Sequence, residues 1–304
     1  MTLIRKKTEL EVPQRIKALI FGQAGSGKTT LALSAPKPLL LDFDGGVHRV
    51  NYEHQPDATV QIGSWSEAIE VLNEDLSPFE TIIIDTVGKM LDYIVDDAEK
   101  KRIGGWKKWE HVNDNFRSFI RSIHAMNKHV ILVAHRDTRK EGDETVFIPA
   151  IREKNYTSVV TELDLLGYLE MRGVARVITF NPTSRNDGKN TCNLPESISV
   201  PMVVDKAGKA SSNTFFVTQI INPYNANLQK RAESIKAYEA VISEIKENIS
   251  QITDEVSAND FCKRIDKFSH TGNSKAAAGK LLLEKVNELG LKLNKDTKLY
   301  ERAT

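Results

Sequence analysis

Short apolar runs alternate with stretches of helical spacing from residue 15 to about residue 135, a pattern that predicts βαβ units and a mostly parallel sheet. The predicted strands cover residues 16–21, 39–42, 59–62, 81–85 and 130–134. Ser64-Trp65-Ser66-Glu67 has the S-x-x-E spacing of a capping box and opens a predicted helix that runs to about Asp75. Trp109, Val112, Phe116, Phe119, Ile120 and Ile123 recur at helical spacing and predict one apolar stripe facing the core. Further along, residues 136–145 read as a polar connection, 146–151 as a strand and 157–163 as a short helix. Residues 165–171 and 175–180 read as a hairpin turning at Arg172-Gly173. Residues 181–226 are rich in Asn, Pro, Ser and Gly, which predicts loops with one strand near 214–221. From Leu228 the spacing is helical to the end, with a break around 269–274.

This pattern predicts an α/β fold: a mostly parallel sheet flanked by helices, a β-hairpin extension and a small C-terminal helical region. At 304 residues the chain has room for about two domains, and the change of pattern divides it into residues 1–226 and 227–304. With 40% hydrophobic and 27% charged residues it reads as a folded globular chain, not a collagen-like, coiled-coil-only or disordered one. No apolar stretch is long enough to span a bilayer, and MTLIRKKTELEVP has no apolar segment after its basic residues, so no membrane association is expected. Cys192 and Cys262 are far apart and form no C-x-x-C pair, which argues against a disulfide framework or a zinc site and for a cytoplasmic location. A net charge of +1 means that any nucleic-acid contact must come from local patches.

The strongest chemical signal is Gly22-Gln23-Ala24-Gly25-Ser26-Gly27-Lys28-Thr29, which matches G-x-x-x-x-G-K-[ST] between a predicted strand and a predicted helix. A loop wrapped around a phosphate chain has no room for side chains, so glycines let the backbone approach and turn its N–H groups inward. The helix beginning near Lys28 adds unpaired N–H groups and a positive dipole end. Lys28 supplies a point charge to the β and γ phosphates, and the Thr29 hydroxyl offers a ligand to Mg²⁺. The segment Gly22 to Thr30 is therefore the expected ATP-binding loop.

Phosphoryl transfer also needs a carboxylate for the metal. Thr81-Ile82-Ile83-Ile84-Asp85 places one at the end of a buried strand, so Asp85 joins Thr29 as an expected Mg²⁺ residue. Residues 39–42 run into Phe43-Asp44-Gly45-Gly46, again with carboxylates at a strand end. Asp44 is the expected group for activating water; Asp42 and Glu53 are alternatives, as is a purely turn-forming role for both aspartates. The strand at 130–134 ends in His135, a polar group placed to sense the γ phosphate.

The set GQAGSGKTT, LLLDFDGG, TIIIDT and VILVAHRD, in this order, resembles the RecA-like core of phage-encoded ATP-binding proteins, a group that includes single-strand annealing recombinases built from the RecA core alone. NYTSVVTELDLLGYLE and the following NPTSRNDGKN extend the resemblance, which spans roughly residues 14–192. It implies a RecA-like P-loop NTPase core, hydrolysis of ATP, a homo-oligomer and, for a phage protein, the host cytoplasm. It implies that Asp44 takes the place of the usual catalytic Glu and His135 that of the usual Gln sensor. It also implies single-stranded DNA contact through residues 100–109 and 136–140, and a cation supplied across a subunit interface, for which Arg185 and Lys189 are candidates. Residues 100–109 hold five basic residues around Trp106, Trp109 and a Gly-Gly pair, which suits phosphates and base stacking, though a solvated helix junction fits the same residues.

Residues 263–298 hold nine Lys or Arg against four Asp or Glu, a weak basic patch that fits either DNA or plain solvation. The expected function is an ATPase acting in DNA recombination or single-strand annealing. Two alternatives stand beside it: a motor or loader acting on replication or single-strand-binding protein partners, and a nucleotide-switched DNA-binding protein with negligible turnover.

Overall fold

The structure, a computed structural model, describes Ile4 and residues 13–302. The basic N-terminal stretch lies outside the described residues, apart from Ile4 and Pro13.

The run Thr81–Asp85 is a strand buried at all five positions. An unbroken β-branched run has this fate when a parallel sheet is covered on both faces, because no position on the strand then meets water. Around it the chain forms β1 (Lys17–Gly22), α1 (Lys28–Ala32), β2 (Pro38–Asp42), β3 (Ala58–Gln61), α2 (Trp65–Glu70), β4 (Thr81–Asp85), α3 (Val87–Lys100) and α4 (Gly105–His124). Then follow β5 (His129–Glu141), β6 (Glu144–Pro149), α5 (Glu153–Glu162), β7 (Leu165–Arg172), β8 (Ala175–Thr179), β9 (Lys189–Asn190) and β10 (Ser197–Val200). The sheet order is β10-β8-β7-β1-β5-β4-β2-β3. The strands from β7 to β3 run parallel, whereas β8 and β10 close the far edge antiparallel.

Alternation along the strands builds two cores. Leu19, Phe21, Leu41, Ile82, Ile84 and Leu132 face the layer that includes Trp65, Met90, Ile94, Phe116 and Phe119. Ile20, Leu40, Ile83, Ile131 and Val133 face the other side, where Leu31, Phe215, Phe216 and Ile220 pack. The fold is α/β with a mostly parallel sheet flanked by helices.

Three local expectations are corrected. Residues 136–141 are not a connection: β5 continues through them and pairs with β6 as an antiparallel hairpin. Their side chains are mainly exposed, so the strand carries no apolar alternation to mark it. Residues 216–221 form a π-helix, not a strand. There the apolar positions Phe215, Phe216, Ile220 and Ile221 pack as one helical face, and the Phe216 N–H donates to Ser34 Oγ at 2.9 Å. Trp109 leaves the apolar stripe of α4; it sits near the start of the helix, 42% exposed, while Val112 to Ile123 carry the buried face.

Residues 226–302 form a separate compact unit. It is built from the bulk of α6 (Asn222–Ser250), α7 (Glu255–Arg264) and α8 (Ser274–Glu288). Val241, Ile245, Phe261, Ala278, Leu282 and Val286 form its core. Asp254 and Ser257 cap α7 reciprocally through their side chains. The end is not helical: β11 (Leu291–Leu293) and β12 (Tyr300–Arg302) pair as a hairpin after Gly290, whose φ of 68° ends α8.

Candidate nucleotide-binding site

β1 ends at Gly22, where β7 runs close beside it. A Cβ on Gly22 would lie 2.3 Å from the Leu169 carbonyl oxygen, so only glycine lets the strands close there. Gly25 and Gly27 have φ of 74° and 87°, which turns the loop back toward α1. Gln23, Ala24 and Ser26 complete the turn, with the Ser26 N–H donating to the Gln23 carbonyl at 3.3 Å. α1 is five residues long, so its dipole adds less than a full helix would; the backbone cradle and Lys28 dominate.

Lys28 is 6% exposed, and its Nζ donates to the Gln23 carbonyl at 2.8 Å across the loop. Burial lowers its pKa, against the opposing charges of Asp85 and Asp44. Thr29 Oγ1 donates to Asp85 Oδ2 at 2.5 Å, joining the two expected metal residues from distant parts of the chain. Thr30 follows in α1, its carbonyl accepting from Asn213 Nδ2 at 2.7 Å. Asp85 is itself 6% exposed. Burial pushes its carboxyl up to about 6; Asp42 and Asp44 add to the rise, and the Thr29 hydroxyl and Lys28 oppose it. A buried hydroxyl–carboxylate pair whose carboxyl is reluctant to ionise is short of positive charge, and its hard oxygen donors fit Mg²⁺.

The sheet order places His135. β5 lies between β1 and β4, with His135 opposite Gly22 and Val133 opposite Asp85, so His135 stands on the edge between the loop and Asp85. Burial, then the charge of Lys28, lowers its pKa, which leaves a neutral imidazole at pH 7.

Asp44 lies close enough to Lys28, Asp85 and His135 for its charge to act on all three. The Asp85 carbonyl accepts from the N–H groups of Phe43 and Asp44 at 2.7 and 3.2 Å, which ties this turn to β4. Asp44 Oδ2 also meets Arg49 Nη1 at 3.6 Å. Asp42 plays a different part. It is 2% exposed and accepts from the Gly46 and Val47 N–H groups, both at 3.0 Å, and so builds the turn that carries Asp44. Glu53 is exposed in a separate 3₁₀ turn. Asp42→Ala strips two backbone donors of their acceptor and is expected to cost about 2–3 kcal/mol of folding stability, read as a lower urea midpoint.

One neighbour carries no sequence signature. Lys89, in the first turn of α3 behind the Thr86 cap, is close enough for its charge to lower the His135 pKa. Gln23 to Ser26 share a cavity of about 370 Å³ with Arg136, Tyr168 and Arg185 of the same chain. Arg136 donates to the Tyr168 hydroxyl at 3.1 Å, and Arg185 meets Glu170 at 3.4 Å. Lys189 donates to the Val160 and Thr161 carbonyls at 2.9 Å, which closes the end of α5. Of the basic residues at 136–140, Arg139 forms a double hydrogen bond with Asp187 at 3.1 Å and also binds Glu141.

Trp106 is 69% exposed, and Arg152 lies over the Trp109 ring at 4.0 Å. Lys101 pairs with Asp97 at 2.8 Å and Lys108 with Glu99 at 2.5 Å, so part of the basic charge here is already matched. Arg152 also links this patch to the nucleotide edge, because it lines a cavity of about 280 Å³ with Thr86, Lys89 and His135. The His135 carbonyl accepts from the Ala150 N–H at 2.8 Å.

Among solved structures the chain is similar to the RadB recombinase, at 19% identity and a TM-score of 0.35, covering 58% of this chain and 92% of that one. It is also similar to the flagellar accessory protein FlaH from Methanocaldococcus jannaschii, at 14% identity and a TM-score of 0.38, covering 66% and 91%. No curated protein matches the sequence. No helix among the described residues is long and apolar enough to cross a membrane. Residues 14–192, more than half of the chain and the part that carries the loop, Asp85 and His135, match the AAA domain family. The chain belongs to the AAA domain family of P-loop ATPases.

Proposed function

We propose that this chain is a RecA-like, Mg²⁺-dependent ATPase that works as a homo-oligomer on single-stranded DNA in recombination or strand annealing. The observation that supports the DNA reading is the exposed Trp106 and the Arg152–Trp109 stack beside the cavity that His135 lines. Aromatic faces and cations are what unstacked bases and phosphates require.

In the proposed reaction the loop N–H groups and Lys28 would hold the triphosphate, and Thr29 and Asp85 would hold Mg²⁺, which would supply positive charge to offset that of the phosphates. Asp44 accepts a proton from the attacking water, and neutral His135 hydrogen-bonds near the γ phosphate. The Ala150–His135 hydrogen bond ties His135 to the segment that carries Arg152, and is the route by which a shift at His135 would reach the tryptophan patch.

Fluorescence anisotropy of a labelled oligonucleotide tests the reading. With an ATP analogue, affinity should fall steeply as salt rises, and Trp109→Ala should weaken binding about tenfold through lost stacking. No binding at low salt would remove DNA from the account. The second reading is a nucleotide switch with negligible turnover, favoured by the Asp44–Arg49 ion pair, which engages the carboxylate expected to act as base. Equal, near-background phosphate release by the wild type and Asp44→Ala would select it.

A further inference from the structure

Arg176 lies in β8, opposite Met171 of β7 on one side and Val200 of β10 on the other. From there its guanidinium lies against the phosphate loop. A Cβ built on Gly27 would fall 2.9 Å from Cζ, 2.9 Å from Nη1 and 3.1 Å from Nη2. Three nearly equal distances mean that the flat group faces the Gly27 Cα. Gly27 is required by its φ of 87°, and a Cβ there would also push the Arg176 guanidinium away from the loop.

Among the described residues no carboxylate pairs with Arg176, and its buried Nε has no hydrogen-bond partner. Burial alone lowers its pKa. This contrasts with Arg139, Arg172 and Arg185, each matched by a carboxylate. A half-buried guanidinium without an anion is costly unless an anion arrives. Thr30, the last residue of the loop segment, lines the same small cavity as Arg176.

The strand order gives the direction of approach. Asp85 lies two strands from β1 on one side, past β5, and Arg176 two strands from β1 on the other, past β7. Metal and γ phosphate belong to the Asp85 and His135 side, which leaves the α-phosphate end of a nucleotide for the Thr30 and Arg176 side. We infer that Arg176 is a nucleotide-binding residue, its guanidinium pairing with the α-phosphate end from the side of the loop opposite Asp85. The inference rests on the nucleotide reading of the loop.

The test is calorimetric titration of wild type, Arg176→Met and Arg176→Lys with Mg²⁺ and either ADP or a non-hydrolysable ATP analogue. Methionine keeps much of the apolar stem and removes the charge. Arg176→Met should raise the Kd for both nucleotides about 10- to 100-fold, the worth of a charge-assisted hydrogen bond, and by the same factor within about twofold. Arg176→Lys should recover part of the loss, since a point charge replaces the planar fork. The nucleotide-free Tm of Arg176→Met should hold or rise, because an unmatched cation is gone; a purely structural arginine would lower it. Unchanged affinity for both nucleotides, or a loss confined to the triphosphate, would overturn the inference. So would a lower nucleotide-free Tm with wild-type affinity. A wild-type chain that binds neither nucleotide would overturn the nucleotide reading and the inference together, whereas wild-type binding matched by Arg176→Met overturns the inference alone.

Discussion

Lys28→Ala should lower nucleotide affinity by at least about 100-fold while leaving the chain folded. In the structure the Lys28 ammonium is nearly shielded from water and bonded to the loop's own Gln23 carbonyl at 2.8 Å, a contact it can exchange for phosphate oxygens. Each charge-assisted hydrogen bond to phosphate is worth about 1.5–3 kcal/mol, so losing two removes about 3–6 kcal/mol, or about two to four decades in Kd. Alanine at position 28 can continue the short helix, and the strands on either side do not depend on the ammonium. Titration calorimetry reads the affinity, and far-UV circular dichroism confirms the fold. Retained binding by Lys28→Ala would mean that the triphosphate does not sit in this loop.

Asp85→Asn should cut Mg²⁺-dependent phosphate release by about 10³-fold, the scale of losing one electrostatic partner of a transferring phosphoryl group. It should also stabilise the nucleotide-free chain. Burial lifts the Asp85 carboxyl from 3.8 to about 6, so keeping it ionised at neutral pH costs about 3 kcal/mol. A carboxyl whose folded pKa lies above its unfolded value contributes stability below pH 3.8 that is lost as the pH rises through about 6. The gain from asparagine is therefore full at pH 7.5 and absent below about pH 4, and denaturant midpoints at the two pH values will show it. The wild type follows the same titration: Mg²⁺ affinity should fall about tenfold per pH unit below about 6, as a proton takes the place of the metal's charge. A variant with lower turnover but no gain in stability at pH 7.5 would assign Asp85 a matched partner.

The residues that were legible in the sequence are those whose chemistry is local. Eight consecutive residues specify the phosphate loop, and the isoleucine run before Asp85 announces a buried strand end. What needed the structure depends on which strands lie side by side. His135 stands between the loop and Asp85 only because β5 is inserted between β1 and β4, an order that no periodicity encodes. Arg176 was silent for the same reason: its approach to Gly27 depends on β8 pairing beyond β7. Asp42 and Asp44 look alike in sequence and both charges act on Asp85, yet the first is buried and bonded under its own turn while the second also acts on Lys28 and His135. Trp109 has the spacing of the α4 stripe, but its ring is partly exposed near the start of that helix and stacks on Arg152 instead of entering the core.

All of these roles require one nucleoside triphosphate bound between the Gly22–Thr30 backbone and Asp85 with magnesium. Titration calorimetry of the folded chain with ATP, with and without Mg²⁺, measures this directly. One nucleotide per chain, bound more tightly with the metal, is the expected result; no heat with ATP or GTP under either condition would contradict it.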